Sequence, residues 1–82
     1  MVSARVDLVV NADFQLDGTI RPNGFYWPDN GKFYEIDRVL DVRRATSLAA
    51  GGAGILYLCR CCGKEVKLFN EDGRWFIERR KD

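Results

Sequence analysis

The sequence predicts an all-β fold, a small antiparallel meander of five to six strands that closes into a barrel-like domain of SH3 or OB size. Three turn signals, Asn30-Gly31, Cys62-Gly63 and Asp72-Gly73, separate long segments of β-type residues. Pairs that end in glycine favour tight hairpins, because glycine readily takes the positive φ that such turns need. The chain has no histidine, and no helix-borne catalytic motif accompanies the strands.

Length and composition set the class of protein. The 82 residues are expected to form one β domain, residues 1–82, around a small core. With 46% hydrophobic and 30% charged residues, the chain belongs with ordinary globular domains. Its 13 basic and 12 acidic residues are interspersed, so no global field favours nucleic acid or a membrane. The apolar run at residues 1–10 is too short and too charged for a signal peptide or membrane span, so a cytoplasmic location is expected.

The first third of the chain shows alternation interrupted by turn residues. Apolar and polar residues alternate from Val6 to Val10 and predict a first strand, which Phe14 and Leu16 extend. Turn-type residues at 17–18 and 22–24 leave room for a short strand around 19–21. The aromatic run that follows leads into the Asn30-Gly31 hairpin.

The segment after that hairpin allows two readings. On a strand reading to about Thr46, Tyr34, Ile36, Leu40 and Val42 face the core. Hydrophobic residues at helical spacing make a helix within 36–50 the alternative. One short helical turn has room at 46–53.

Arg38 falls on the predicted core face of that strand. Because an unpaired buried guanidinium is very costly, a β-bulge or a position at the barrel rim is expected. The alternatives are a carboxylate partner, such as Asp7 or Asp13, and an arginine that anchors a ligand.

The last two hairpins support each other through their cross-strand pairs. The predicted partners are Arg60–Glu65, Lys67–Glu78, Glu65–Arg80, Glu71–Arg74, Phe69–Phe76 and Leu68–Ile77. The residues assigned to the core face are Tyr57, Cys59, Val66, Leu68, Trp75 and Ile77. Truncating Trp75 to alanine is therefore expected to cost about 3–5 kcal/mol of stability.

The opposite face of these strands is also apolar at one end. Leu56, Leu58, Phe69 and Phe76 lie there, with Tyr26, Phe33 and Val39 expected to join them. A sheet that is apolar on both faces must curl on itself, be covered by the 46–54 segment, or dock on a partner. On this view, Phe76→Ala should impair association more than folding.

The cysteines and glycines do not form a recognised site. Cys59, Cys61 and Cys62 lack the further ligands that a structural zinc site needs, so no metal or cofactor is expected. Alternation buries the first two thiols, the turn position beside Gly63 exposes Cys62, and a metal or redox role is the alternative. Glycines at 51–54 precede a strand and lack a following Lys-Ser/Thr, so a flexible connection is expected instead of a phosphate loop.

Basic and aromatic residues mix on the second face. Small barrels that bind nucleic acid stack bases on aromatic rings while cations follow the phosphates. The candidate binding residues are Tyr26, Phe33, Arg43, Arg44, Arg60, Lys67, Phe69, Phe76 and Arg80. Acidic residues between them favour the alternative, in which these are solvated charges that pair with one another.

Three stretches carry a resemblance to known proteins: residues 21–27, residues 34–43, and Leu68-Phe69 with Gly73–Phe76. They resemble a small family of bacterial proteins of unknown function, chiefly from anaerobic Gram-positive species. The pattern is also similar to a domain of unknown function that accompanies Y-family DNA polymerase-like proteins. The resemblance implies a compact all-β domain in a nucleic-acid setting, carries over no catalytic residue, and does not include the cysteines.

The sequence thus predicts a binding module that is not an enzyme. Nucleic acid or a nucleic-acid-associated protein is the expected partner. Acid–base catalysis would depend on carboxylates alone, and no pair of them is placed in an evident cleft. The alternative is a structural or oligomerisation domain that forms a homodimer through the same apolar face.

Overall fold

The computed structural model describes residues 2–46 and 53–81, which form six antiparallel strands joined in chain order into a closed barrel. The strands are β1 (Val2–Phe14), β2 (Ile20–Tyr26), β3 (Phe33–Thr46), β4 (Ala53–Cys61), β5 (Lys64–Glu71) and β6 (Arg74–Lys81). The all-β barrel is therefore confirmed, and so is the strand reading through Thr46. Of the short helical turn expected at 46–53, residues 47–52 lie outside the described residues, and the end residues Thr46 and Ala53 belong to β3 and β4. No helix within the described ranges is long and apolar enough to cross a membrane.

Two long strands close the barrel. The first part of β1, to Leu8, pairs with β6, and the rest of it pairs with β2. Likewise, β3 pairs with β2 up to Glu35 and with β4 from Ile36 onward. Each long strand thus passes from one sheet to the other, so that every strand has a neighbour on both sides.

The second strand runs through the residues that the sequence assigns to a turn. Ala12 pairs with Pro22 and Asn11 pairs with Gly24, which leaves Asn23 as an extra residue in β2. The Asn23 side-chain amide donates to Oδ1 of Asn11 at 3.1 Å. The turn prediction at 22–24 is wrong because a β-bulge accommodates proline, which has no N–H for the ladder.

The first strand ends earlier than its apolar pattern indicates. Phe14 is its last residue, and Leu16 lies in the turn that follows. There, the N–H of Gly18 donates to the carbonyl of Gln15 at 3.0 Å.

Two irregularities in β3 change which side chains face inward. The register shifts between Ile36 and Arg38 and again between Val39 and Asp41. Each extra residue reverses the alternation, so Arg38 is exposed and the bulge interpretation is confirmed. The same shift packs Val39 against the core and leaves Leu40 37% exposed, so both of those predicted placements are wrong.

The core fills the inside of the barrel. Its buried members are Leu8, Phe25, Ile36, Tyr57, Cys59, Cys61 and Leu68. Val66, Trp75 and Ile77 are partly buried and pack against them, so the core face predicted for the last three strands is confirmed. The rings of Tyr57 and Trp75 lie 5.1 Å apart. Val42 lies opposite Tyr57 but is 51% exposed, so it does not belong to the predicted core.

The two C-terminal turns have the geometry that their sequences predict. Cys62 and Gly63 have φ values of 54° and 76°, and Asp72 and Gly73 have values of 52° and 83°. Two consecutive positive φ values are typical of type I′ hairpins. The pairs Arg60–Glu65, Phe69–Phe76 and Glu71–Arg74 are confirmed. The described β5–β6 register stops at Phe69–Phe76, and Glu78 lies opposite Arg5 of β1.

Candidate nucleic-acid interface

Phe69 and Phe76 are buried, although the sequence places them on an open face. Their exposed fractions are 7% and 0%. The two rings stack with centroids 5.4 Å apart and planes 9° apart. The guanidinium carbon of Arg5 lies 4.2 Å from the Phe76 centroid. Asp7 holds that guanidinium, accepting a hydrogen bond from its Nε at 2.8 Å.

This phenylalanine pair lies outside the barrel core but inside the folded chain. Leu56 lies opposite Phe69 on β4, and Asp7 lies opposite Phe76 on β1. The prediction that the two rings form an accessible surface is therefore wrong. The homodimer alternative depends on the same two rings, which have little or no area left for a second chain.

Two other predicted aromatic residues are exposed. Tyr26 and Phe33 lie opposite each other on β2 and β3, with exposed fractions of 47% and 44%. Their ring centroids are 4.9 Å apart. On β1, Val9 lies opposite Tyr26 and is 69% exposed, so it extends this exposed apolar surface. We call Tyr26 and Phe33 the aromatic pair.

The ring of Phe33 is held against the strand beside it. A Cβ added to Gly24 would lie 2.8 Å from Cε2 of Phe33 and 2.7 Å from the carbonyl oxygen of Tyr34. Such contacts are too close for a real side chain, so the absence of a side chain at Gly24 allows the ring to lie there. The aromatic pair is therefore exposed to solvent with the Phe33 ring held in a defined position.

Arg38 and Arg60 form a cationic row further along the outside of β3 and β4. They lie opposite each other, and Glu65 of β5 lies opposite Arg60. All three side chains are exposed. Arg5 pairs with Asp7 and Arg43 pairs with Asp41, but neither arginine of the row forms an ion pair with another described residue. Like charges placed opposite each other are destabilising, and an anion between them would relieve that repulsion.

Alternation predicts Arg38 on the core side, and the candidate binding residues do not include it. The bulge at Asp37 moves it outward. Its position as a charged exception within an apolar alternation is the signal behind the alternative that it anchors a ligand.

Lys67 extends the cationic surface, whereas Arg43 does not. Lys67 is exposed and lies opposite Leu58, one position along the outer side from Arg60. Arg43 binds Asp41, with its Nε 2.9 Å from Oδ2. This hydrogen bond lowers the pKa of the Asp41 carboxyl, and the charge of Arg43 lowers it further.

Two other predicted arginines lie elsewhere. Arg44 lies opposite Ile55 and lines a separate cleft with Phe14 and Ile20, at the other end of the barrel. The backbone of Arg80 pairs with Ser3 in the β1–β6 ladder, and its side chain lies outside those that the structure describes.

A cleft of about 580 Å³ opens at the end of the barrel nearest the aromatic pair. We call it the mouth, and its lining residues are Phe25, Trp27, Asn30, Tyr34, Cys61, Cys62, Lys64, Val66 and Ile77. The rings of Phe25 and Tyr34 lie 5.8 Å apart, and the Asn30 amide donates to the Tyr34 hydroxyl at 3.3 Å. This cleft could not be predicted from the sequence, because its walls come from strands and turns that are distant in the chain.

The three thiols differ in their surroundings, as predicted. Cys59 and Cys61 are buried and Cys62 is exposed. Burial raises the pKa of the Cys59 thiol to about 11 and that of Cys61 to about 12. The Sγ atoms of Cys61 and Cys62 are 3.8 Å apart. Among the described residues, no group of three or more His, Cys, Asp or Glu side chains is placed to hold a metal ion.

We expect iodoacetamide to modify Cys62 alone in the folded protein at pH 8, because the thiolate is the reactive form and the other two thiols are buried and protonated. Mass spectrometry of peptides should show one labelled site natively and three in denaturant. Because the folded pKa values of Cys59 and Cys61 lie above their unfolded values, stability should fall as the pH rises above about 9. Rapid native labelling of Cys59 at pH 8 would contradict this arrangement.

Comparison with known proteins does not assign a family. No protein-family model, curated protein or solved structure matches the chain. The described surface is therefore the basis on which a function can be inferred.

Proposed function

We propose that this domain is a non-enzymatic module that binds single-stranded nucleic acid along the outer surface of β2, β3 and β4, in the cytoplasm of a bacterium. The observation that supports this most is the Arg38–Arg60 row, which faces solvent without an ion pair among the described residues. Two guanidiniums side by side suit a phosphate, since arginine donates in a fork that matches its oxygens.

The aromatic pair supplies the second requirement of such a module. Tyr26 and Phe33 are close in space and exposed, and bases stack on aromatic rings irrespective of sequence. Phe33 and Arg38 both lie on the outer side of β3. At a rise of about 3.3 Å per residue, they are separated by about 16 Å, which a short extended strand of nucleic acid can span.

Acidic neighbours limit the strength of the interaction. Glu35 lies on the same strand between the aromatic pair and Arg38, and Glu65 lies beside Arg60. We therefore expect contact with about three phosphates, which gives a slope of about −2 for log affinity against log salt. The resemblance to a domain that accompanies polymerase-like proteins is consistent with this kind of partner.

The test is fluorescence anisotropy of a labelled oligothymidylate at low and high salt. Replacing Arg38 and Arg60 together by glutamine should weaken binding about tenfold or more, because two phosphate contacts are lost. The matched control replaces Arg21 and Arg74 by glutamine, which changes net charge equally. Those two arginines are exposed and lie opposite Asp13 and Glu71. The control should retain affinity within about twofold.

Equal losses in the two double variants would show that only net charge matters and would refute the proposed surface. Oligomer binding that does not weaken with salt would show that the arginines do not contact phosphates and would also refute the proposed surface. A concentration-dependent doubling of mass without binding would favour the oligomerisation alternative.

A further inference from the structure

We propose that the mouth of the barrel receives one nucleobase of the bound strand, an inference that rests on the proposed function and specifies how a single nucleotide is recognised. The mouth and the outer surface meet at one rim. Phe25 and Tyr34 face inward, and each is adjacent in the chain to a member of the aromatic pair. Cys61 in the mouth directly follows Arg60. A nucleic-acid strand bound to the outer surface therefore contacts residues that are adjacent in the chain to those lining the mouth.

The dimensions and lining of the mouth fit a planar heteroaromatic group. Its volume of about 580 Å³ lies within the usual range of small-ligand sites, about 300–1,000 Å³. The aromatic rings of Phe25, Trp27 and Tyr34 line it, together with the aliphatic groups of Val66 and Ile77. Such walls bury a base by stacking and van der Waals contact.

Polar groups occur at only a few points of this lining. This pattern is typical of a site that binds its ligand in one orientation. The Asn30 amide and the Tyr34 hydroxyl are already joined at 3.3 Å and can exchange hydrogen bonds with the edge of a base. Lys64, the first residue of β5, is exposed at the rim beside the type I′ turn, where its ammonium can meet the phosphate of the inserted nucleotide. If an apolar side chain occupied the mouth in place of a base, it would form no hydrogen bond or ionic contact with any of these groups.

The position of Trp27 provides a direct reporter. It lines the mouth and is half-buried, and its backbone is anchored by the turn, with its N–H donating to the carbonyl of Lys32 at 2.9 Å. Trp75, the other tryptophan, packs against Tyr57 in the core and does not line the mouth. A Trp75→Phe variant keeps an aromatic ring there and makes Trp27 the sole tryptophan.

The experiment titrates this variant with an oligothymidylate and with matched oligomers that have an abasic residue at one position. Intact strands should quench Trp27 emission. In an oligomer no longer than the binding site, which cannot shift its register, one abasic position should abolish the quenching and weaken binding about 5- to 150-fold, the range that corresponds to one stacked base. Lys64→Gln should weaken binding of the intact strand several-fold, whereas Lys32→Gln, a lysine of the neighbouring turn that does not line the mouth, should not.

A second measurement uses the wild-type protein, so the inference stays testable if Trp75→Phe does not fold. Cys62 lines the mouth and is the exposed cysteine among the three. The intact oligomer should slow its alkylation by iodoacetamide, and the oligomer with the critical abasic position should not.

Salt-sensitive binding of the intact strand with unchanged Trp27 emission and an unchanged Cys62 rate would overturn this inference and leave the proposed function in place. No binding of any oligomer at low salt would overturn both.

Discussion

Replacing Phe76 by alanine is expected to lower the free energy of unfolding by about 3–5 kcal/mol, the usual cost of removing a buried phenyl ring. Phe76 is fully buried, stacks on Phe69 and lies under the Arg5 guanidinium. The variant loses the ring's burial, the stacking contact and the cation–π contact together. Because a domain of this size has only about 5–15 kcal/mol of stability, the loss is a large part of the total.

Urea denaturation followed by circular dichroism would measure the change. The matched control is Phe14→Ala, the same substitution at a ring that is 82% exposed, which should change stability by no more than about 0.5 kcal/mol. If Phe76→Ala retained the wild-type midpoint, the phenylalanine pair would not be an internal cluster, and it would be a candidate association surface.

Introducing a single methyl group at Gly24 is expected to cost about 1–3 kcal/mol, because the site is overpacked by any side chain. The new Cβ would lie 2.7 Å from the carbonyl oxygen of Tyr34, which belongs to the paired strand and cannot move without breaking the ladder. It would also contact the Phe33 ring. The Gly24→Ala variant should therefore melt earlier and bind nucleic acid more weakly, because Phe33 must leave its position.

The two contacts can be separated by adding Phe33→Leu to Gly24→Ala. The smaller side chain relieves the contact with the ring but not the contact with the backbone. Gly24→Ala should therefore cost less stability when it is added to Phe33→Leu than when it is introduced into the wild-type protein. No measurable coupling between the two substitutions would show that the ring does not rest on Gly24.

The features that could be predicted from sequence are those that a few neighbouring residues determine. Cys62-Gly63 and Asp72-Gly73 adopt the left-handed conformations that glycine-containing turns favour, and the tight turns fix the register beside them. The inward positions of Cys59 and Leu68 follow from that register. The pairing of Tyr26 with Phe33 likewise follows from the hairpin beside them.

The features that could not be predicted depend on extra residues or on distant strands. One inserted residue reverses the alternation of everything after it, which is why Arg38 and Val39 lie on the sides opposite to those expected. Asn23 is the extra residue of a bulge, although the sequence around it is typical of a turn. The Arg5 guanidinium covers the Phe76 ring only because β1 closes against β6.

That closure also governs how the chain reaches its folded state. The seam between β1 and β6 joins Val6 to Ile77, whereas the hairpins from β3 to β6 form between neighbours in the chain. Long-range pairings are slow because loop-closure entropy opposes them until they form. During synthesis, β1 must wait with an unpaired edge until β6 emerges, and such edges readily pair with another chain. At high concentration during refolding, exchange of β1 between two molecules would rebuild the same seam in a domain-swapped dimer.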